Sequence, residues 1–368
     1  MPIQITNYQC PACTGPLHYE GSSGKLECEY CGTQFFVKEI EDLYAQKEAA
    51  AEAAGVQAQA AAQAAQAEPQ DEYAWQPENE NLRVYTCPSC GAELFCDLTT
   101  AATSCPYCGN PTVVPGQFHG QMKPDLILPF RLDKNAAVAA LKNYYKGKKL
   151  LPKAFSEQNH IEEIKGVYVP FWLFDGRVMA DMTFQATRSR SYVSGKYRVT
   201  ETDHFRLRRA GSMEFRRIPA DGSTKMPDAH MDAIEPFNYD ELKPFSTAYL
   251  PGYLADIYDV PSGDARERAV KRACNTAVAE MTATAAGYST CIVESQQVSM
   301  PRCKASYALL PVWMLSTRWN GKNYLFAMNG QTGKLVGDLP VSMGRYWSWF
   351  FGIAAPLAAV MAALLFLL

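Results

Sequence analysis

Eight of the twelve cysteines in this chain have the spacing of metal ligands. They form four Cys-x-x-Cys pairs in two modules, and 14 residues separate the two pairs of each module. The first module contains Cys10, Cys13, Cys28 and Cys31, and the second contains Cys87, Cys90, Cys105 and Cys108. Two thiolates two residues apart can bind one ion, and a hairpin that returns a second pair completes a tetrahedral four-sulfur site. The spacing therefore predicts two zinc ribbons, each with one structural Zn²⁺.

Disulfides, a redox-active Cys-x-x-Cys pair and a four-sulfur iron centre are the alternatives for these cysteines. Disulfides need an oxidising compartment, and residues 1–7 have neither the basic nor the apolar region of an export signal. Glycine follows three of the four pairs and suits the tight turn there, whereas Thr14 follows the first pair. Four cysteine ligands leave no open coordination position, so we expect the ribbons to stabilise and recognise rather than to catalyse.

The C-terminal segment has the sequence expected of a membrane span. From Tyr346 to Leu368 there is no charged residue, and a helix of this length would extend about 34 Å against about 30 Å of bilayer hydrocarbon. Tyr346, Trp347 and Trp349 suit the membrane interface, and Arg345 suits the cytoplasmic side. We expect a single-pass tail anchor in the cell membrane with the preceding chain in the cytoplasm. A buried C-terminal helix is the alternative.

The amino-acid composition of the remaining chain changes along its length and indicates separate segments. The net charge is −3, so the chain as a whole is not a polyanion binder. Residues 39–67 are rich in alanine, glutamine and glutamate, which predicts a solvated helical spacer that, if continuous, holds the first ribbon about 43 Å from its attachment. A coiled coil is the alternative for this segment. The predicted segments are ribbon 1 (1–38), the spacer (39–81), ribbon 2 (82–114), two α+β units (115–261 and 262–344) and the tail anchor (345–368).

The two α+β units have similar patterns. Each has a helical stretch followed by apolar strands, and Asp133 and Ser262 are suitable helix N-caps. Each also has a Pro-x-Trp sequence inside a strand, at Pro170–Trp172 and Pro311–Trp313. The predicted fold class is therefore α+β: two small β ribbons, a helical spacer, a duplicated unit of helix plus antiparallel sheet, and a transmembrane helix.

A basic cluster lies within the first unit. Apolar residues and arginines alternate around Phe205, as in a strand with one charged face. The candidate residues for binding an anionic surface are Arg188, Arg190, Arg198, Arg206, Arg208 and Arg209. Lipid headgroups or a phosphate backbone would be the ligand, and a salt-bridged, solvated sheet face is the alternative.

No catalytic motif is evident in the sequence. The segment Gly330–Lys334 resembles a phosphate loop but lacks its GxxxxGK[ST] spacing, so a hairpin turn at Asn329–Gly330 is favoured. The five histidines include no HExxH pair, and GxSxG is absent. We expect a protein that is not an enzyme.

The order of these motifs resembles a known family. The paired ribbons are followed by Leu128–Phe130, Tyr168–Asp175, Tyr249–Asp256, Leu310–Trp313, Asn329–Lys334 and an apolar end. This arrangement resembles the bacterial membrane-anchored zinc-ribbon proteins of the YdjG-like kind, which are often labelled TFIIB-type zinc ribbon-containing or primosomal-helicase-like. The resemblance implies a non-enzymatic partner of SPFH (flotillin-like) and phage-shock-protein-A-like envelope-stress components. It nominates the eight cysteines as ligands and no catalytic residue, and a helicase does not fit because no Walker A sequence is present.

Two functions follow as hypotheses. The first is a membrane-anchored adaptor whose ribbons dock cytosolic or membrane-associated proteins. The second is nucleic-acid binding by the ribbons, which their charge disfavours. Ribbon 1 has Lys25 and Lys38 against three glutamates, and ribbon 2 has no Lys or Arg between Cys87 and Cys108. The oligomeric state is left open.

Overall fold

The computed structural model describes residues 8–47, 82–86, 93–97, 100–104, 111–113, 123–158 and 163–367. The first ribbon is a three-stranded antiparallel sheet followed by helix α1 at 37–47. Its strands are β1 (Leu17–Glu20), β2 (Lys25–Cys28) and β3 (Gln34–Phe36). Only the start of the predicted spacer helix is described, and residues 48–81 lie outside the described residues.

Two hairpins follow in the region predicted to be ribbon 2. In the first hairpin, β4 (Leu82–Thr86) pairs antiparallel with β5 (Glu93–Asp97). In the second, β6 (Thr100–Ser104) pairs antiparallel with β7 (Pro111–Val113). Strand β6 also pairs with β12 of the main sheet, so this region is joined to the body by backbone hydrogen bonds.

The main sheet has eleven strands among the described residues. Its principal order is β11-β8-β14-β9-β12-β6-β7, with β10 and β13 paired to β9, β15 paired to β14, and β16 paired to β15. The further strands are β8 (Leu126–Ile127), β9 (Lys165–Ser194), β10 (Tyr197–Asp221), β11 (Lys243–Pro244), β12 (Leu254–Asp256), β13 (Thr290–Ser299), β14 (Cys303–Trp319), β15 (Lys322–Asn329) and β16 (Leu335–Gly337). The helices are α2 (Lys134–Tyr145), α3 (Lys153–Gln158), α4 (Asp228–Ala233), α5 (Ser262–Ala283) and α6 (Met343–Leu367).

The predicted fold class is wrong in two respects. The described chain is mainly sheet, and that sheet is mixed rather than antiparallel, because β8 lies parallel to β14 and β12 lies parallel to β9. The sequence pattern could not show this, because strand direction depends on which distant segments pair. One helix start also differs: Asp133 caps α2 by accepting from the Ala136 amide at 2.7 Å, whereas Pro261 precedes α5 and Ser262 is its first residue.

The second correction concerns the tail anchor. Helix α6 forms, but among the described residues no helix is both long enough and apolar enough to cross a membrane. Its first turns contain Arg345, Ser348 and three interfacial aromatic residues, which lower the mean hydropathy of the described part. The prediction counted the whole run 346–368, and the side chains of residues 362–368 lie outside the described residues.

The two Pro-x-Trp segments have equivalent pairing and hydrogen bonds in the structure. The two Pro-x-Trp segments lie opposite each other on β9 and β14, with Tyr168 facing Pro311 and Pro170 facing Leu309. Each proline thus faces the residue that lies two positions before the proline of the other segment. The Pro170 carbonyl accepts from the Gly222 amide at 2.8 Å, and the Pro311 carbonyl accepts from the Gly330 amide at 2.9 Å.

The tryptophans cross between the two copies. The Trp172 indole donates to the Val260 carbonyl, just before α5, at 2.8 Å. The Trp313 indole donates to the Leu132 carbonyl, just before α2, at 3.1 Å. Strand β12 lies parallel to β9, as β8 lies parallel to β14, and the predicted unit boundary at residue 262 stays a prediction.

Alternate residues of the central strands contribute to two cores. On one face, Phe130 stacks on Tyr253 with ring centroids 4.1 Å apart and meets Trp313 edge-on at 5.2 Å. On the other face, Val169 and Phe171 pack with residues of α4. This alternation is expected of a strand buried on both faces. Helix α5 covers the outer parts of β9, β10 and β13 with four alanines at every fourth position, from Ala265 to Ala277.

Candidate metal centre

The two knuckles of the first ribbon have the same backbone geometry. Cys10 donates its amide to the Gly15 carbonyl and accepts from the Thr14 amide, at 2.7 and 2.8 Å. Cys28 makes the same two bonds, with Thr33 and Gly32, at 3.0 and 2.9 Å. The turn requires a positive φ, which is 68° at Gly32 and 60° at Thr14. The first knuckle therefore places a β-branched residue in a conformation that favours glycine.

The four sulfur atoms of the first module converge. The Cys10, Cys13, Cys28 and Cys31 Sγ atoms all lie within 4.8 Å of one another. The Cys10–Cys31 separation is 3.7 Å and the Cys13–Cys28 separation is 3.4 Å. A tetrahedral Zn²⁺ with Zn–S bonds of about 2.3 Å would place its sulfurs about 3.8 Å apart, so the arrangement fits zinc. Cys10 and Cys28 are buried, whereas Cys13 and Cys31 lie on the surface.

The sulfurs also differ in acidity. Hydrogen bonds from the Thr33 side chain and backbone lower the pKa of Cys31 to about 6. The backbone around Gly15 lowers the pKa of Cys13, but contacts with the Cys28 and Cys31 thiols outweigh it and raise the pKa of Cys13 to about 12. Cys13 and Cys31 thus hold their protons unequally, and a divalent ion bound by the four sulfurs would replace thiol protons. With four sulfur ligands, the role of the metal is structural.

The first ribbon packs directly on the main sheet. The Tyr19 amide donates to the Pro251 carbonyl at 2.9 Å, the Tyr8 hydroxyl bonds the Thr247 hydroxyl, and the Tyr19 and Tyr249 rings meet at 5.2 Å. A Cβ on Gly21 would lie 2.6 Å from the Phe130 carbonyl oxygen, so this close approach requires glycine. The first ribbon is therefore in contact with the rest of the described chain and is not held away from it, as the spacer prediction expected.

This contact was not predicted from the sequence. Leu17 and Leu26 of the ribbon belong to one buried apolar cluster with residues of the main sheet. The number of apolar residues in the ribbon could have indicated it. A small three-stranded sheet cannot bury that many apolar side chains by itself.

The second set of ligands falls outside the described residues. Cys87 and Cys90 lie between β4 and β5, and Cys105 and Cys108 lie between β6 and β7. Each pair is thus flanked by the strands of a hairpin, as the ribbon interpretation requires. Zinc binding by these four cysteines stays a prediction.

The basic cluster lies on a long arm, residues 177–217, formed by the outer parts of β9 and β10. Three of the six candidate arginines form ion pairs: Arg190 with Glu201 at 2.5 Å, Arg206 with Glu294 at 2.8 Å, and Arg208 with Asp181 at 2.5 Å. The hydrogen bond from Arg208 lowers the pKa of Asp181.

The other three arginines have different surroundings. The Arg188 guanidinium lies over the Phe205 and Tyr288 rings, at 5.7 and 5.2 Å. Arg209 donates to the Arg208 carbonyl at 3.1 Å, and Arg198 faces Val193 near the tip of the arm. The ion pairs reduce the positive charge that an anionic ligand would meet, and binding of such a ligand stays a prediction.

The cysteine geometry and the ribbon sheet define a structural zinc-ribbon protein. Residues 9–39 match a family model described as Trm112p-like protein. The chain is 33% identical to the uncharacterized protein YdjG of Bacillus subtilis strain 168 over 350 aligned residues. The alignment covers 95% of this chain and 94% of the relative. The chain therefore belongs to the YdjG family. No solved structure matches the chain significantly.

Proposed function

We propose that this protein is a non-enzymatic zinc-ribbon adaptor that docks partner proteins on its first ribbon. The observation that carries this proposal is the outer surface of a ribbon whose other side is fixed to the main sheet. Tyr30, next to the ligand Cys31, is 76% exposed, and Phe36 on β3 is 58% exposed. Exposed aromatic side chains on a rigid support are typical anchors of protein interfaces, because little conformational freedom is lost on binding.

The structural role of the metal supports this proposal. Zinc crosslinks the knuckle that bears Tyr30, and Lys25 lies over the Phe36 ring with its amine 4.7 Å from the ring centre. The contact with Lys25 favours this position of the Phe36 ring. The family resemblance suggests SPFH (flotillin-like) or phage-shock-protein-A-like proteins as the partner class.

Binding of a purified candidate protein of either class to the full zinc-loaded chain, measured by calorimetry, tests the proposal. Tyr30→Ala and Phe36→Ala are each expected to weaken binding about fivefold or more while zinc content stays unchanged. Tyr197→Ala is the matched control, because Tyr197 is 77% exposed but lies on the arm. Unchanged affinity in both ribbon variants, or an equal loss in the control, would contradict docking on the ribbon.

The same preparations address nucleic-acid binding. The first ribbon has two lysines against Glu20, Glu27 and Glu29, so it lacks the basic surface that phosphate contacts require. We expect no salt-sensitive binding of duplex or single-stranded DNA or RNA. Binding that weakens steeply with added salt would favour the alternative function.

A further inference from the structure

Asp221, the last residue of β10, is a buried acid with incomplete hydrogen bonding. Only 2% of its side chain is exposed. Its Oδ1 atom lies 3.7 Å from an Arg268 nitrogen, and its Oδ2 atom has no hydrogen-bond partner. A buried carboxylate oxygen without a donor is costly, so the position needs an explanation.

The duplication provides a comparison within the same molecule. Asp221 faces Phe171, and Asn329 faces Val312, at equivalent places in the two copies. The Asn329 amide donates to the Ile234 and Pro236 carbonyls at 3.1 Å, and its oxygen accepts from two backbone amides at 2.9 Å. Asparagine has both donors and acceptors, whereas an ionised aspartate has only acceptors. Asp221 can donate only when it is protonated.

The charges around Asp221 are unequal in number. From α4 and the residue pair after it come Asp228, Asp232 and Glu235, and from α5 come Arg268 and Arg272. Arg268 contacts Asp228 at 2.5 Å and Asp232 at 3.1 Å. Arg272 contacts Glu235 at 2.6 Å and Asp232 at 3.3 Å. With Asp221 included, four carboxyl groups share two guanidinium groups.

The neighbouring charged groups have other partners. Nearby, Lys225 pairs with Asp256 at the end of β12 at 3.0 Å, and Asp259 accepts from the Thr224 amide at 2.8 Å. On the far side of α4, His230 lies 3.4 Å from Asp338. None of these contacts, as described, supplies Asp221 with a donor.

We propose that the Asp221 carboxyl is protonated while α4 lies closed on α5 and the end of β10, and that loss of this proton loosens α4. Burial is the main cause that raises the pKa of Asp221 to about 7. Arg268 and a backbone hydrogen bond from Ser223 oppose this shift, whereas the charge of Asp228 and a hydrogen bond with Asp228 add to it.

The sign of the pH dependence follows from the raised pKa. The closed state of α4 binds the proton more tightly than an open state in which Asp221 is solvated and has its ordinary pKa, about 4. The closed state is therefore favoured most at low pH and becomes less favoured as pH rises toward 7, after which the effect is constant. Opening would expose Met231 and Ile234, which cover an apolar cluster on the main sheet.

Hydrogen–deuterium exchange of the full zinc-loaded chain tests the proposal. The opening equilibrium of residues 228–236, corrected for intrinsic exchange, is expected to rise about tenfold per pH unit between pH 5 and 7 and then to level off. Asp221→Asn, which places in this copy the residue found at 329, is expected to abolish this dependence. Asp181→Asn is the control, because Asp181 is an exposed, ion-paired acid on the arm.

Two results would overturn the proposal: exchange of 228–236 that does not change between pH 5 and 7, or a dependence that persists in Asp221→Asn. If Asp221→Asn does not fold, Asp228→Asn provides the second variant, since the Asp228 side chain is 61% exposed. It should shift the midpoint to lower pH, and carboxyl NMR of the unmodified protein should show one aspartate titrating near pH 7. Titration of every aspartate below pH 5 would refute the assignment.

Discussion

Thr14 is the residue at which the two knuckles of the first ribbon differ. Both knuckles require a positive φ after the second cysteine of the pair, and the second knuckle uses Gly32, around which there is open space. Threonine is disfavoured in this conformation because its branched Cβ crowds the backbone. Its hydroxyl donates to the Cys13 carbonyl at 2.6 Å, which offsets part of this cost.

We expect Thr14→Gly to stabilise the zinc-loaded protein by about 1 kcal/mol, since relief of strain at a left-handed residue exceeds the extra entropy of glycine. Chemical denaturation, followed with zinc in excess, measures the change. Gly32→Ala is the reciprocal control and should destabilise by about 1 kcal/mol. Equal stability of all three proteins would show that the knuckle turn does not limit the ribbon.

At the scale of elements, the crossed tryptophan bonds join the two copies of the duplicated unit. Each indole reaches over the shared sheet to the loop that starts the helix of the other copy. The loops that begin α2 and α5 are thus fixed to the sheet by equivalent tryptophan hydrogen bonds.

We expect Trp172→Phe and Trp313→Phe to destabilise the protein by similar amounts, about 1 to 2 kcal/mol each, because each leaves a carbonyl without its donor. Urea denaturation with intact zinc measures both. Trp319→Phe serves as the control, since the Trp319 indole makes no hydrogen bond within the part of the chain that is described. A large effect in only one of the first two variants would mean that the two bonds are not equivalent in energy.

For the whole molecule, the main question is whether the zinc site stabilises more than its own ribbon. The ribbon shares an apolar cluster with the main sheet and hydrogen-bonds to residues 247–251. A small ribbon without metal cannot maintain its fold, so loss of zinc should also uncover the body surface beneath it.

Chelation of zinc is therefore expected to increase hydrogen exchange in residues 247–253 as well as in residues 8–36, whereas α5 should keep its protection. Mass spectrometry of the full chain before and after chelation measures this, with elemental analysis to confirm metal loss. The contact would not depend on the metal if residues 247–253 exchanged at the same rate in both states.

Local features of the chain were predictable because the physics behind them is local. Four ligands in two close pairs need only one hairpin to meet, so the spacing of Cys10, Cys13, Cys28 and Cys31 sufficed to predict the metal site. The repeated Pro-x-Trp segments were likewise evident in short strings, and a turn was expected at Asn329–Gly330, where the structure has a longer loop between β15 and β16.

The tertiary structure decided the features that require contact between segments far apart in the sequence. Parallel pairing of β8 with β14 and β12 with β9 exchanges strands between the two copies, which no local pattern encodes. The arginines of the arm meet acids as far away as Glu294, and the ribbon meets a surface more than 200 residues later in the chain. The apolar C-terminal run predicted a membrane span that the described helix does not provide. Composition and spacing thus determined the ligands and the repeated motifs, whereas long-range packing determined their neighbours, because contact between distant segments depends on the shape and charge of both.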